Sequence, residues 1–192
     1  MLICSGAQAQ IHEEKPLPGL DQGVLVHFEK DGNHKVPYGP GKTIGTGDFS
    51  VVCHLVPADR PLGLKVTVPL LVGSDEPPSH DRKAEWRLLL GANGELIFDA
   101  HPKEKGASAT IETPKGIANW NQAHDIVISV HRDARQPLSG IWVDGIELAS
   151  ATFGAMDLRG SLPSGDWDSS GWIRTVTVYD RALTRPEILD LV

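Results

Sequence analysis

The chain has 192 residues, 18 Lys plus Arg against 25 Asp plus Glu, and a formal charge of −7. That length suits one domain able to remove roughly 70% of its unfolded-chain surface from water, and a content of 40% hydrophobic and 22% charged residues excludes a disordered chain. Twenty Gly and 14 Pro are more turn chemistry than a helical bundle uses, the acidic balance argues against nucleic acid or anionic membrane as the main partner, and no run reaches the ~18 apolar residues of a membrane span.

Residues 1–23 are expected to precede the folded domain. MLICSGAQAQ carries no charge and ends in Ala7-Gln8-Ala9, a small-x-small pattern after a short apolar run. It reads as a signal-peptide remnant lacking its positive n-region, against the alternative of a leader without meaning, and predicts a secreted protein. Bulky Ile3 argues against lipidation at Cys4. QIHEEKPLPGLDQG (10–23) is polar, holds two prolines and two glycines, and reads as a linker. Cleavage at Ala9 leaves only Cys53, which makes no internal disulfide and sits in an apolar run as a small buried hydrophobe.

From residue 24 the apolar period is two. VLVHF (24–28) aligns Val24, Val26 and Phe28; DFSVVCHLVP (48–57) aligns Phe49, Val51, Cys53 and Leu55, with Ser50 and His54 facing away. EWRLLLG (85–91) and ELIFDAH (95–101) flank Gly91-Ala92-Asn93-Gly94, a hairpin loop by composition. HDIVISVHRD (124–133) aligns Ile126, Ile128 and Val130, and SGIWVDGIELASATF (139–153) carries Asp144-Gly145 between two apolar runs, the strongest hairpin signal present. GWIRTVTVYD (171–180) is a further strand. Thr184-Arg185-Pro186-Glu187 matches a capping box and predicts one short C-terminal helix. The fold class predicted is an all-β sandwich or jelly roll.

Three segments carry a family resemblance. GDFSVVCHLVPAD (47–59) is similar to an early strand that starts Gly-(Asp/Asn)-Phe-(Ser/Thr). WNQAHDIVISVHRD (120–133) followed by GIWVDGIELASATF (140–153) resembles a Trp-initiated strand and a Val-Asp-Gly hairpin. GWIRTVTVYDRALTRPEILDL (171–191) resembles a closing strand and a Tyr-(Asp/Asn)-Arg-Ala-Leu-(Ser/Thr)-x-x-Glu-Ile signature. Over residues 24–192 the chain thus resembles the laminin G-like (LamG) jelly roll of the concanavalin A-like lectin and glucanase superfamily. The resemblance implies two antiparallel sheets packed face to face. It also implies a non-catalytic carbohydrate-binding module of a secreted bacterial glycosidase such as a sialidase, whose catalytic domain would be a partner beside the glycan. A protein-interaction or spacer domain is the alternative from another class. No cofactor is required by this reading. Relatives often hold a structural calcium, for which Asp31 and Asn33 in EKDGNHK are candidate ligands, although a DGN turn needs no metal. One departure is Arg174-Thr175, where the family commonly places acidic residues.

Motifs for other chemistry are incomplete. The Glu-x-Asp-x-x-Glu strand of the superfamily's retaining glucanases is missing, which argues against a catalytic jelly roll. Gln10-Ile11-His12 matches a lyase strand motif without its companion strands. GPGKT (39–43) has Val36 where a phosphate-binding loop requires Gly and leads into a strand, and the histidines lack metal-ligand spacing. SGDWDSSGW (164–172) is a degenerate, lone Asp-box-like turn.

A sugar site pairs an aromatic platform with a few polar groups. Trp86 shares a face with Leu88 and Leu90 and reads as core; Trp142 is a strand residue, and Trp120 is structural by the family pattern. Trp167, flanked by Asp166 and Asp168 in LPSGDWDSSG, is either an exposed platform or the plug of its own loop. Arg174, expected on one face with Val176 and Val178, suits a ligand carboxylate or an ion pair with Asp166, Asp168 or Asp180. Tyr38 in VPYGPG is a further loop aromatic.

Overall fold

The computed structural model describes residues 20, 22–29, 47–57, 67–73, 86–101, 109–118, 121–132, 138–152 and 172–192. The period-two runs become strands because alternation buries one face of each and solvates the other. In chain order they are β1 (Val24–Glu29), β2 (Phe49–Leu55), β3 (Val68–Gly73), β4 (Trp86–Leu90), β5 (Leu96–Ala100), β6 (Ala109–Glu112), β7 (His124–Val130), β8 (Ser139–Val143), β9 (Ile146–Ala151) and β10 (Ile173–Tyr179), followed by helix α1 (Arg185–Leu189). All pairings are antiparallel, in a six-stranded sheet of order β1-β10-β2-β7-β8-β9 and a four-stranded sheet of order β3-β4-β5-β6. The protein is an all-β, two-sheet antiparallel sandwich with a short C-terminal helix.

The core lies between the sheets. Phe49, Val51, Cys53 and Leu55 of β2 and Ile126, Ile128 and Val130 of β7 meet Trp86, Leu88 and Leu90 of β4. Phe49, Trp86 and Phe98 form a tilted aromatic triangle with centroids 6.0–6.4 Å apart. Each such side chain contributes about 1.5–3 kcal/mol by leaving water. Burial, with a smaller push from Asp125, drives the Cys53 thiol up to about 12, so it stays protonated and behaves as the hydrophobe its strand position predicts.

A second cluster lies on the outer face of the six-stranded sheet. Leu183 and Ile188 of the closing segment pack there against Val127, Trp142, Tyr179 and Leu20. Ser50 therefore does face away from the core, yet it is fully buried. Its hydroxyl accepts from Leu183 N at 2.9 Å and donates to Ser129 Oγ at 3.2 Å. Glu187 accepts from Thr184 N and Oγ1, each at 2.8 Å, and pairs with Arg181 at 2.7 and 2.9 Å. The hydrogen bond from Arg181, working against a smaller burial effect, lowers the Glu187 carboxyl to about 2. The capping box, the bidentate pair and two buried apolar side chains are the physical content of the closing signature.

Three expectations are corrected. Two strands have no counterpart in the sequence reading: β3, which carries Pro69 and is tolerated because it is an edge strand, and β6, only four residues long with one buried side chain. Val24 does not join the core face, since the β1–β10 register shifts between Val24 and Val26. Val24 packs instead against the outer cluster, and Leu25 against the core. Arg174 does not share a face with Val176 and Val178, for the reason given below. The Asp144-Gly145 hairpin forms as expected, with φ of 51° and 77°.

Candidate functional site

In β4 the inward turn of Trp86, Leu88 and Leu90 leaves Arg87 and Leu89 on the outer face of the four-stranded sheet. The β4–β5 loop sets what they meet. Gly91 N donates to Glu95 O at 2.8 Å and Asn93 N to the Glu95 carboxylate at 2.9 Å, closing a five-residue connection with Gly94 at φ 78°. The resulting register places Arg87 opposite Asp99, and Asp99 opposite Thr110. One step along, Pro69, Leu89, Ile97 and Glu112 form a parallel row.

Asp99 is the centre of the polar row. Its Oδ2 accepts a short hydrogen bond from Arg87 Nη2 and lies 2.7 Å from His101 Nε2, and its Oδ1 accepts from Thr110 Oγ1 at 3.2 Å. Burial raises the affinity of this carboxyl for protons, but the bonds and charges of Arg87 and His101 outweigh it and hold Asp99 below the usual carboxylate range. The Asp99 side chain is only 11% exposed, whereas those of Arg87 and His101 are 39% and 36% exposed. A buried carboxylate thus fixes two cationic or proton-donating groups that themselves reach solvent. The hydrogen bonds of Arg87 fall on Nη2, and its Nε has no partner.

Elsewhere, histidine–carboxylate pairs tie strands and turns together. His54 Nδ1 lies 2.7 Å from Asp125 Oδ1 across β2 and β7. His124 Nδ1 lies 2.8 Å from Asp144 Oδ2, and Asp125 N donates to Asp144 Oδ1 at 2.9 Å, which pins the β8–β9 turn. Among the described residues no group of three or more His, Cys, Asp or Glu gathers as a metal site, and no helix is long and apolar enough to cross a membrane.

Of the residues singled out in the sequence, Arg174 is described and is exposed. The β10–β2 register shifts between Ile173, opposite Leu55, and Thr175, opposite His54. Arg174 is the extra residue of that bulge, so Ile173 takes the core side with Val176 and Val178 while Arg174 turns to solvent. Trp167, Asp166, Asp168, Tyr38, Asp31, Asn33 and Trp120 lie outside the described residues. Trp86 is core, and Trp142 is buried in the outer cluster. The Arg87–Asp99–His101–Thr110 group was missed. Its signal was the hairpin register, which puts opposite charges face to face on the solvent side.

No protein-family model matches the chain, and no curated protein matches it in sequence. Solved structures do match in fold. The CBM40 module of the Ruminococcus gnavus IT-sialidase superposes with a TM-score of 0.64 at 11% identity, over 88% of this chain and 99% of that one. The same module bound to α2,6 sialyllactose gives 0.61 at 12% identity, with the same coverage. The binding domain of botulinum neurotoxin serotype G gives 0.59 at 15% identity, over 86% of this chain and 41% of that one. At these identities the likeness is one of fold.

Proposed function

We propose that this chain is a non-catalytic carbohydrate-binding module. The observation that carries the reading is the fold shared with a sialidase-borne CBM40 module over 88% of this chain and nearly all of that module. Structures of that module hold α2,3 and α2,6 sialyllactose, which supports a glycan as the ligand here. The absence of a Glu-x-Asp-x-x-Glu strand from the sequence supports a role without hydrolysis. In this reading residues 24–192 are a LamG-like domain following a leader and linker over 1–23. Ala7-Gln8-Ala9 marks export, and the parent is a secreted bacterial glycan-degrading enzyme such as a sialidase. Stacking and a few hydrogen bonds give weak single-site affinity, which tethering to a catalytic domain converts into a useful local concentration.

The loop around Trp167 is proposed as one edge of the site, with Asp166, Asp168, Arg174 and Tyr38 contributing polar and aromatic contacts. A structural calcium at Asp31 and Asn33 belongs to the same proposal, and chelation should then lower the melting temperature. The test of function is a glycan array spanning sialylated, uronic-acid and neutral glycans. Reproducible binding to one class, weakened by Trp167→Ala, is expected; unchanged affinity in that variant would remove Trp167 from the site. A blank array from folded protein would favour a protein-contact or spacer role. Ile146, Leu189 and Val192 support this second reading: they are 49–64% exposed, and Leu189 and Val192 approach the β8–β9 turn at Gly145.

A further inference from the structure

Among the described residues two turns place a glycine after a side chain able to close a cyclic imide on the next backbone nitrogen: Asp144-Gly145 between β8 and β9, and Asn93-Gly94 between β4 and β5. Their surroundings differ. Both Asp144 oxygens are engaged, Oδ1 by Asp125 N at 2.9 Å and Oδ2 by His124 Nδ1 at 2.8 Å, and a carboxylate must be protonated before it can lose water. Asn93 is exposed and loses neutral ammonia instead. Its Nδ2 reaches Glu95 Oε1 at 3.5 Å, the limit of a hydrogen bond. Gly94 N has no side chain beside it to hinder attack. It donates to Gly91 O at 3.1 Å, and Asn93 N donates to Glu95 Oε2 at 2.9 Å, so the turn must open before the ring can close. Local opening of an exposed turn lies well below global unfolding in free energy.

We propose that Asn93 is a site of self-modification, and that the change loosens the joint between β4, β5 and β6. Gly94 N attacks Asn93 Cγ; the N–Cγ bond forms, the Cγ–Nδ2 bond breaks, and Nδ2 leaves as ammonia with the proton from Gly94 N. Water then opens the imide and returns a proton to Gly94 N. Addition of water at Cγ restores the main chain with an aspartate side chain. Addition at the Asn93 carbonyl carbon gives isoaspartate, whose main chain runs through Cβ and Cγ. The inference is independent of what the domain binds. Its structural consequence follows from what the turn holds: Gly116 N donates to Asn93 O at 2.8 Å and Ala118 N to Gly94 O at 2.9 Å, and Ala118 is a core residue. Isoaspartate lengthens this main chain by one carbon and turns the carbonyl that serves Gly116 N into a free carboxylate. Aspartate sets a second negative charge beside the buried Glu95 carboxylate.

The test is to age the folded full chain in mildly alkaline buffer made with heavy-oxygen water, then to map its peptides by mass spectrometry. Cleavage after Arg87 and Lys103 isolates Asn93 from the other asparagines. The expected result is at least tenfold more label at Asn93 than at Asn33, Asn119 or Asn121, none of which precedes glycine, and no label at Asp144. The melting temperature of the labelled protein should fall by about 2–4 °C. Asn93→Gln, which closes a larger ring more slowly, should stay unlabelled and keep its melting temperature through ageing. Gly94→Ala is no substitute, because Gly94 has φ 78° and a Cβ there would meet Ala118 O at 2.9 Å. A synthetic peptide of residues 88–103 should react at least tenfold faster than the folded chain. Asn93 still unlabelled in the folded chain when that peptide has reacted completely, label spread evenly over the asparagines, or labelled protein that melts like fresh protein overturns the inference.

Discussion

The two sheets of this sandwich arise from the same alternation, but their outer faces have been treated differently. On the six-stranded sheet the alternate positions include Val127, Trp142 and Tyr179, and the closing segment lays Leu183 and Ile188 over them. Two buried serines satisfy the backbone of that segment. On the four-stranded sheet the alternate positions include Pro69, Arg87, Leu89, Ile97, Asp99, Thr110 and Glu112, and Pro69, Arg87, Ile97, Thr110 and Glu112 keep contact with solvent. One face is a second core that secures the chain's end; the other is a structured polar surface whose order comes from a single buried carboxylate. Preorganised polar groups that stay wet are what a weak, selective ligand site requires, whereas a roofed face contributes to stability alone.

Substitutions can break that contrast or sharpen it. Ile188→Ala removes a fully buried side chain from the roof and should cost about 2–4 kcal/mol, measured by urea unfolding. Ser50→Ala leaves Leu183 N without its acceptor in a buried setting and should cost about 1–2 kcal/mol in the same assay. Glu187→Gln should cost about 1 kcal/mol at neutral pH, after allowance for screening of a partly exposed pair. Because the folded carboxyl is held at about 2 against an ordinary value of 4.5, its contribution is present above pH 4.5 and is lost as pH falls towards 2. The variant's unfolding curve should therefore converge with wild type across that window. Ile97→Ala, at a partly exposed position of the other outer face, should cost about 1 kcal/mol, less than Ile188→Ala. A cost there as large as that at Ile188 would mean the two faces are not as different as their burial indicates.

Eight of the ten strands and the helix follow from period-two runs, the Asp144-Gly145 turn and the Thr184–Glu187 capping box, because each of these is local. β3 and β6 were illegible for opposite reasons: Pro69 speaks against a strand unless an edge is known, and Ala109–Glu112 is too short and polar to show a period. Alternation also misled at Val24 and Arg174, where register shifts of β10 against its two neighbours reset the faces. The Arg87–Asp99 pair and the contacts of His101 needed the register of one hairpin, and the contact of Thr110 needed the third strand as well. The loop residues expected to bind ligand, Trp167 foremost, stand on sequence argument alone.

The strand order has a consequence in time. Among the described strands, β10 comes last in the chain yet lies between β1 and β2, which come first. Until residues 173–179 leave the ribosome, β1 has no neighbour in its sheet, and β2 shows an unpaired edge with Val51 and Cys53 beside it. Closing contacts more than a hundred residues apart makes assembly slow and exposes that edge meanwhile. The nascent chain must therefore wait with that edge open, and chaperone dependence during synthesis or refolding would be felt at that gap first.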